Sequence, residues 1–270
     1  MAFALNHMTV PGLRFDAVLS LAKRLGCVGV EFRNDLRGEL FGGASPKEVR
    51  RLAEGAGLRI LTWAEVTAFN DVSDRMLRDA RALIRTAQAA GAEAISLIPR
   101  NDGLRLGRKE RREDLGLALC ALAPLLEECD LIGLVEPLGF ETCALRDKAE
   151  IIDQITALGL TGRFRLVHDT FHHHLAGGGP VYPAHTALVH ISGVTAAIAP
   201  EQMADAHRGL VDQNDRLGNL AQLQALQSGG YDGPISMEAF APSVHDFSDP
   251  EAELSRSFNF IEPHLAEKAA

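Results

Sequence analysis

Polar side chains end several short apolar runs in this chain, and their types suit metal or acid/base chemistry. Glu136 follows "LV", His168 and Asp169 end "RLVHD", His190 lies in "LVHIS", and Glu238 follows "ISM". An ionised carboxylate at the end of an apolar strand is costly unless something compensates its charge. A divalent cation held between the two Glu, the Asp and one His would supply that compensation.

Three carboxylates and one imidazole form a ligand set that hard and borderline cations accept. Mn²⁺, Mg²⁺, Co²⁺ and Zn²⁺ all suit such a set, and it leaves coordination positions open for a substrate. The sequence therefore predicts a divalent metal cofactor without naming the metal. The alternative interpretation is that the same residues pair with neighbouring Arg and Lys side chains in a salt-bridge network.

These residues can meet only if the elements that hold them share one edge. An amphipathic helical pattern, a closing Gly and a short apolar run recur along the chain, as in "FDAVLSLAKRLG" followed by "CVGVEF". A helix that returns to a buried parallel strand produces this pattern. Strands are predicted near residues 3–6, 28–32, 59–63, 94–98, 132–136, 164–168, 188–192 and 235–238.

Eight strands that alternate with helices predict a single-domain (β/α)8 TIM barrel over residues 1–270. A doubly wound open sheet is the alternative, but no predicted strand is followed by a G-x-G-x-x-G turn. Barrel enzymes place their chemistry at the C-terminal ends of the strands, where the polar residues above lie. The glycines and prolines of "LAGGGPVYPAHT" predict an irregular connection between strands six and seven.

Composition and charge exclude several classes of protein. The formal net charge of -9 disfavours nucleic-acid binding, which needs a concentrated basic surface. No segment has the length and apolarity of a membrane span, and the N-terminus lacks the pattern of a signal peptide. The four cysteines show no C-x-x-C spacing and are expected to be reduced thiols. We expect a cytoplasmic protein with a small-molecule partner, either monomeric or a homo-oligomer paired through its helices.

At these same residues the sequence resembles the xylose-isomerase-like TIM-barrel superfamily of sugar isomerases and epimerases, which also includes endonuclease IV. "LVEPLGF" resembles the family's strand-five Glu motif and "HDTFHH" its strand-six Asp-x-x-His motif. "LVHISGV" and "SMEAF" resemble the strand-seven His and strand-eight Glu motifs. The resemblance implies metal ligation by Glu136, Asp169, His190 and Glu238, with His172 near the substrate.

Within that superfamily the chain is most similar to inosose isomerases, which interconvert 2-keto-myo-inositol and 1-keto-D-chiro-inositol. The similarity lies in "EPLGFETCALRDKAEIIDQI" and in the Asp-x-His-Arg loop of "MADAHRGLVDQNDRLGN". The alternatives are a ketose 3-epimerase or another sugar (phosphate) isomerase, an inosose dehydratase, and a non-catalytic sugar-binding barrel. Endonuclease activity is disfavoured, because its trinuclear site needs His ligands where this chain has Trp63-Ala64 and Pro99-Arg100.

A ketol isomerisation moves a proton from the carbon beside a carbonyl through an enediolate. The metal would stabilise the developing oxyanion, and a carboxylate would accept the proton. The resemblance implies that Glu136 and Glu238 act as base and acid besides binding the metal. His172 would bond a substrate hydroxyl or transfer a proton between substrate oxygens.

Four further residues are candidate substrate contacts: Arg208, Arg33, Trp63 and His7. Arg208 in "DAHRGL" could hold a hydroxyl or form a surface salt bridge, and Arg33 in "EFRND" could reach the barrel mouth or pair with Glu31 or Asp35. Trp63, the only tryptophan, could form an apolar wall for a sugar ring or pack in the core.

The histidines divide between the pocket and the rest of the chain. His7 could line the pocket or bond loop backbone. His168 should point to the side of its strand opposite Asp169, and His173 and His174 are interpreted as loop residues without a role in the site.

Overall fold

Eight parallel strands close into one barrel in the order of the chain. The computed structural model describes residues 1–104 and 107–266. The strands are β1 Ala2–Asn6, β2 Gly29–Arg33, β3 Arg59–Thr67, β4 Ala92–Ile98, β5 Ile132–Val135, β6 Phe164–Asp169, β7 Thr186–Ile191 and β8 Pro234–Met237. The predicted TIM barrel is confirmed, and each predicted strand overlaps an observed one.

Helices connect the strands on the outside of the barrel. They are α1 Phe15–Arg24, α2 Pro46–Ala56, α3 Asp74–Ala90, α4 Arg108–Glu128, α5 Lys148–Ala157, α6 Thr170–Leu175, α7 Asn219–Ser228, α8 Pro242–His245 and α9 Pro250–Ala266. Local sequence sets their ends: Ser45 and Ser73 accept N-cap hydrogen bonds, and Gly57 and Gly91 end α2 and α3 in the left-handed conformation. In the described part of the chain no helix has both the length and the apolar character needed to cross a bilayer.

The two largest clusters of the apolar core form two layers. The larger layer lies between the strands and the surrounding helices. The smaller one fills the barrel interior with side chains from six strands: Ala4, Leu61, Ala94, Leu134, Val167 and Leu188. Because strand residues alternate between faces, residues two positions further along point into the same interior, nearer the C-terminal mouth. Three of those positions are Glu136, Asp169 and His190.

The register between β2 and β3 shifts by one residue at Leu61. Val30 is opposite Ile60, but the next pair is Glu31 opposite Thr62. An inserted residue of this kind reverses which side chains face inward from that point. Thr62 therefore reaches the buried Glu31, and Trp63 lies on the outer face of the sheet.

The connection between β6 and β7 is irregular, as predicted. It contains the six-residue helix α6, then three glycines with positive φ at 177–179, then one short 3₁₀ turn before β7. The two flanking strands remain adjacent in the barrel.

Candidate functional site

Four predicted metal ligands from four strands meet at the mouth of the barrel. Glu136 follows β5 directly, Asp169 ends β6, His190 lies in β7, and Glu238 follows β8. Each offers one ligand atom within 4.8 Å of the others, and all four side chains are buried. The structure thus brings together an O₃N donor set from residues that lie up to about a hundred positions apart in the chain.

The ring of His190 is held between buried carboxylates. Nε2 lies 3.1 Å from Glu31 Oε2, which also accepts a 2.7 Å hydrogen bond from the hydroxyl of Thr62. Nδ1 lies 3.1 Å from Glu136 Oε1 and 3.2 Å from Glu238 Oε2. If Nε2 donates its proton to Glu31, the lone pair of Nδ1 faces two carboxylate oxygens, and only a cation or a proton makes that contact favourable.

The electrostatics of His190 agree with this geometry. Burial alone would lower its pKa, but the carboxylates of Glu238, Glu31 and Glu136 hold the pKa well above its usual value. The centre of the site therefore attracts positive charge.

Two buried arginines also contact the carboxylates. Arg208 Nη2 lies 2.6 Å from Asp169 Oδ2 and 2.8 Å from Glu238 Oε2, and Arg33 Nη1 lies 2.7 Å from Glu238 Oε1. Burial tends to raise the pKa of Glu238, but His190 and the two arginines lower it on balance. Both arginines predicted as substrate contacts thus lie at the site, and both bond the carboxylate of Glu238.

The buried charges of the site do not balance without a further cation. Two guanidinium groups and a protonated His190 oppose four buried carboxylates, those of Glu31, Glu136, Asp169 and Glu238, which leaves one negative charge. An imidazole binds a metal in its neutral form, so with His190 as a ligand two negative charges remain. An uncompensated pair of buried charges is strongly unfavourable. A divalent cation supplies the missing charge, so the donor set and the charge of the site both fit one.

Glu65 is an additional carboxylate at the mouth that sequence reasoning missed. It accepts a 3.1 Å contact from Arg33, which also holds Asp35 through two 2.8 Å hydrogen bonds. Burial, opposed by Arg33 and assisted by nearby carboxylates, raises the pKa of Glu65 to about 7. Glu65 was not recognised as a polar residue near a strand end, because strand three was predicted to end at Trp63, whereas β3 continues to Thr67.

Asn6 and His7 follow each other at the end of β1 but have different surroundings. Asn6 Nδ2 donates a 3.2 Å hydrogen bond to Glu238 Oε1. His7 Nε2 lies 2.8 Å from the carbonyl of Leu13, which is the loop-backbone alternative, while its side chain also lines a cavity of about 410 Å³ together with Arg33.

Trp63 does not lie with the candidate ligands. Its side chain is 1 % exposed and packs against Phe32 and Phe41, with ring centroids 5.9 Å and 4.4 Å away. The predicted substrate wall at Trp63 is corrected to core packing. The physical reason is the register shift at Leu61, which turns Thr62 inward and Trp63 outward.

The histidines of "HDTFHHH" separate into two environments. His172 is 4 % exposed, its backbone N–H donates to Asp169 Oδ1 at 2.8 Å, and its Nδ1 has no hydrogen-bond partner among the described residues. His168 points away from Asp169, as predicted, and its Nδ1 lies 2.9 Å from Lys148 Nζ. His173 is not a loop residue: it is buried in α6, and its Nδ1 lies 3.0 Å from the same Nζ.

Comparison with known proteins places this chain in a family. The family described as "Xylose isomerase-like TIM barrel" matches residues 19–264. A xylose isomerase domain containing protein from Salmonella typhimurium LT2 is 33% identical, with a TM-score of 0.88 over 98% of this chain and 97% of that chain. Comparison with curated proteins gives no match.

More distant structures share the fold. An IOLI protein with a bound zinc atom is 17% identical, with a TM-score of 0.88 over 98% of this chain and 100% of that one. D-allulose 3-epimerase from Methylomonas sp., solved with D-allulose, is 15% identical, with a TM-score of 0.73 over 98% of this chain and 97% of that one. The match over residues 19–264, together with the closed barrel, shows that this chain belongs to the xylose isomerase-like TIM-barrel family.

Proposed function

We propose that this protein is a metal-dependent isomerase or epimerase of a polyol ketone, and that its substrate is 2-keto-myo-inositol, converted to 1-keto-D-chiro-inositol. The observation that supports this proposal most directly is the buried group of Glu136, Asp169, His190 and Glu238 with its unbalanced negative charge. The substrate assignment rests on the motif resemblance of the sequence, and membership of the family supports the class of reaction.

Glu136, Asp169, His190 and Glu238 would hold the metal, with Mn²⁺, Zn²⁺, Co²⁺ or Mg²⁺ as candidates. When bound, the metal supplies a Lewis acid that polarises a carbonyl and offsets the charge of an enediolate. Glu31 would orient the ring of His190 through its contact with Nε2.

The two glutamates differ in their freedom to accept a proton. Glu238 already accepts hydrogen bonds from Asn6, Arg33 and Arg208, so both of its oxygens are occupied. The Glu136 side chain has His190 as its one hydrogen-bond partner among the described residues. We assign Glu136 as the base that removes the α-proton and later releases it to solvent. Glu238 would take up a proton from water after the arginines shift their bonds to substrate oxygens, and would then deliver that proton to the neighbouring carbon.

Arg208, Arg33 and His172 would bind the substrate. The guanidinium of Arg208 lies beside Asp169 and Glu238, where it can donate to a substrate hydroxyl next to the metal ligands. The unpartnered Nδ1 of His172 leaves one buried ring nitrogen free to bond a second hydroxyl.

The test is proton exchange at the α-carbon. Metal-saturated protein is incubated with 2-keto-myo-inositol in D₂O and followed by NMR; deuterium incorporation and a new ketone are expected. Glu136→Gln and Glu238→Gln should each slow exchange by ~10²–10⁴-fold, the usual contribution of a general acid or base. Glu141→Gln, which changes an exposed carboxylate in the loop after β5, is the matched control.

Other outcomes would reject this function. Loss of water to a dione identifies a dehydratase, and exchange on D-allulose alone identifies a ketose epimerase. Neither exchange nor dehydration on any of these ketones, with metal bound, leaves a binding protein. Full exchange in Glu136→Gln and Glu238→Gln would remove both glutamates from the mechanism.

A further inference from the structure

A buried lysine lies outside the group of candidate metal ligands and is used by no step above. Lys148, the first residue of α5, is 8 % exposed, and its Nζ contacts the Nδ1 atoms of His168 and His173. Neither contact is with a negative charge, and within the described chain no carboxylate forms an ion pair with Lys148. A buried ammonium group without an anion is unusual because its desolvation is not offset.

The hydrogen bonds around His168 show that it acts as an acceptor. Gln222 Nε2 donates to the carbonyls of Thr170 and Leu217, so its Oε1 accepts from His168 Nε2 at 2.9 Å. His168 therefore carries its proton on Nε2 and presents a lone pair on Nδ1 to Lys148. The tautomer leaves this imidazole neutral and unable to compensate the charge of the amine.

The start of α5 does not supply the missing charge either. The N-terminus of a helix carries partial positive charge, which disfavours an ammonium group in the first turn. Asp147 is the nearest carboxylate in sequence, but it caps α5 by accepting the N–H of Ala149 at 2.9 Å. Desolvation lowers the pKa of Lys148 to about 7, with only a partial opposing effect from Asp169.

Lys148 forms part of the wall of a cavity of about 310 Å³. Arg146 and His172 line the same cavity. Arg146 donates through Nε and Nη2 to the carbonyls of Gly139 and Leu175, and its Nη1 makes no bond to the described residues. The ring of His172 has a buried Nδ1 that finds no hydrogen-bond partner within the described part of the chain.

We propose that this cavity, which His172 also lines, binds an anionic group, a phosphate or a carboxylate, through Lys148 and Arg146. The wall has two cationic side chains against one carboxylate, that of Asp147, which is engaged in capping the helix. The cavity volume is about ten times the ~30 Å³ that one water molecule occupies, so a tetrahedral anion fits with solvent around it. The anion supplies the counter-charge that Lys148 lacks.

Two sources could supply the anion: a free inorganic ion, or an acidic group on the substrate itself. His172 lies three residues after Asp169 and lines the cavity, so the cavity adjoins the candidate active site. Binding of a free anion goes beyond the proposed function and does not depend on it. Recognition of an acidic substrate rests on the proposed function and would narrow its substrate class.

The first test is titration of inorganic phosphate into metal-loaded protein by calorimetry at constant ionic strength. Saturable binding is expected, and Lys148→Met should weaken it by about tenfold or more, the effect of losing ~1.4 kcal/mol of interaction. Lys47→Met is the matched control, because Lys47 is an exposed lysine in the first turn of α2. Lys47→Met removes the same charge from the first turn of a helix and should leave the affinity unchanged.

The proposal is overturned if no saturable binding occurs at millimolar phosphate, or if Lys148→Met and Lys47→Met lose phosphate affinity equally. It is also overturned if Lys148→Met binds phosphate as tightly as wild type, because phosphate would then lie at the candidate metal ligands. If Lys148→Met does not fold, the decisive measurement is made on wild-type protein labelled with ¹³C-lysine. Phosphate should shift the side-chain resonance of Lys148 and not that of Lys47, and the absence of that shift overturns the proposal equally.

A kinetic comparison separates the two sources. If the anion belongs to the substrate, Lys148→Met raises KM for a phosphorylated or carboxylated polyol ketone, leaves KM for the neutral ketone unchanged, and phosphate competes with the acidic ketone. If the anion is free, the variant treats both ketones as the wild type does while still losing phosphate affinity. Absence of turnover on every ketone would count against the proposed function, and the phosphate titration would still decide the anion site.

Discussion

At the scale of single residues, the site consists of carboxylates whose roles are set by their hydrogen-bond partners. Glu238 accepts from two arginines and Asn6, whereas Glu31 faces the distal nitrogen of His190 and has no direct place among the candidate ligands. In the proposed mechanism, one residue type therefore serves as ligand, as base and as support for another ligand. The differences arise from position, because each carboxylate meets a different set of cations.

Glu31→Gln tests the support of His190. The amide keeps the size of the side chain but loses the charge that stabilises the proton on Nε2 of His190. Metal affinity should fall by ~10–100-fold, the usual effect of losing such an outer partner. Calorimetric titration of Mn²⁺ or Zn²⁺ measures it, with Glu141→Gln as control; an affinity equal to that of wild type would show that Glu31 has no part in holding the ligand.

Glu65→Gln tests the pH dependence of stability in chelator-treated protein. The pKa of Glu65 is raised from 4.5 to about 7, so the folded state binds this proton more tightly than the unfolded state. Its contribution to stability is fully present below pH 4.5 and is lost as pH rises through 7. The free energy of unfolding of the variant should therefore rise relative to that of wild type between pH 5 and 8, by on the order of 1–3 kcal/mol.

Urea unfolding at several pH values measures this difference. Glu141→Gln, at an exposed position, should show no such trend. A stability difference between Glu65→Gln and wild type that is the same at pH 5 and pH 8 would contradict the prediction.

At the scale of elements, the position of a side chain depends on strand register. The alternation of strand residues directs Glu136 and Asp169 inward, two positions after Leu134 and Val167. The same rule applied to β3 from its start fails at Trp63, because one extra residue at the register shift changes the face. Local pattern is therefore sufficient for a regular strand and insufficient for a bulged one.

A pair of glycine substitutions tests how closely β5 packs. A Cβ at Gly133 would lie 2.8 Å from Leu97 Cδ1 and Phe164 Cδ1, whereas a Cβ at Gly55, in the exposed face of α2, meets nothing within 4 Å. Gly133→Ala should destabilise the fold by ~1–3 kcal/mol through overpacking. Gly55→Ala should stabilise it by roughly 0.5–1 kcal/mol through the helix preference of Ala.

Chemical denaturation measures both variants against wild type. The opposite signs form the test, since both substitutions add one methyl group. If Gly133→Ala and Gly55→Ala changed the free energy of unfolding equally, the residues around β5 would have to move to accommodate the added methyl group.

At the scale of the whole molecule, closing the barrel concentrates negative charge at one end. Buried carboxylates arrive there from β2, β5, β6 and β8, and the two arginines compensate only part of their charge. When His190 is neutral, as a metal ligand must be, the uncompensated negative charge of these carboxylates attracts a cation. A cation that binds only the folded barrel should therefore stabilise it.

Thermal unfolding with and without metal tests this expectation. At a free metal concentration about 100 times Kd, binding adds ~2.7 kcal/mol to the free energy of unfolding. For a chain of this size that corresponds to a rise in Tm of roughly 5–10 °C. Asp169→Asn keeps a side chain able to cap α6 but removes the charge of one candidate ligand, so the rise in Tm should be smaller in this variant. Equal Tm values for wild type in metal and in chelator would contradict the prediction.

The sequence by itself determined the fold and the residues of the central group. Repeated helix, Gly and strand patterns predicted eight strands, because periodicity and capping depend on residues that are close together in the sequence. Glu136, Asp169 and Glu238 could be predicted because a charge at the end of an apolar strand is costly and needs an explanation. The choice of His190 rather than His168 came from the resemblance to the family's strand-seven motif.

Only the tertiary structure decided how those residues are supported and what else lies near them. Glu31 beside His190, the outward turn of Trp63 and the buried position of Lys148 depend on contacts between distant segments. A lysine at the start of a helix has the same one-dimensional pattern whether its amine reaches solvent or is buried against two histidines. The difference arises from the packing of α5 and α6 against β6, which no local pattern encodes.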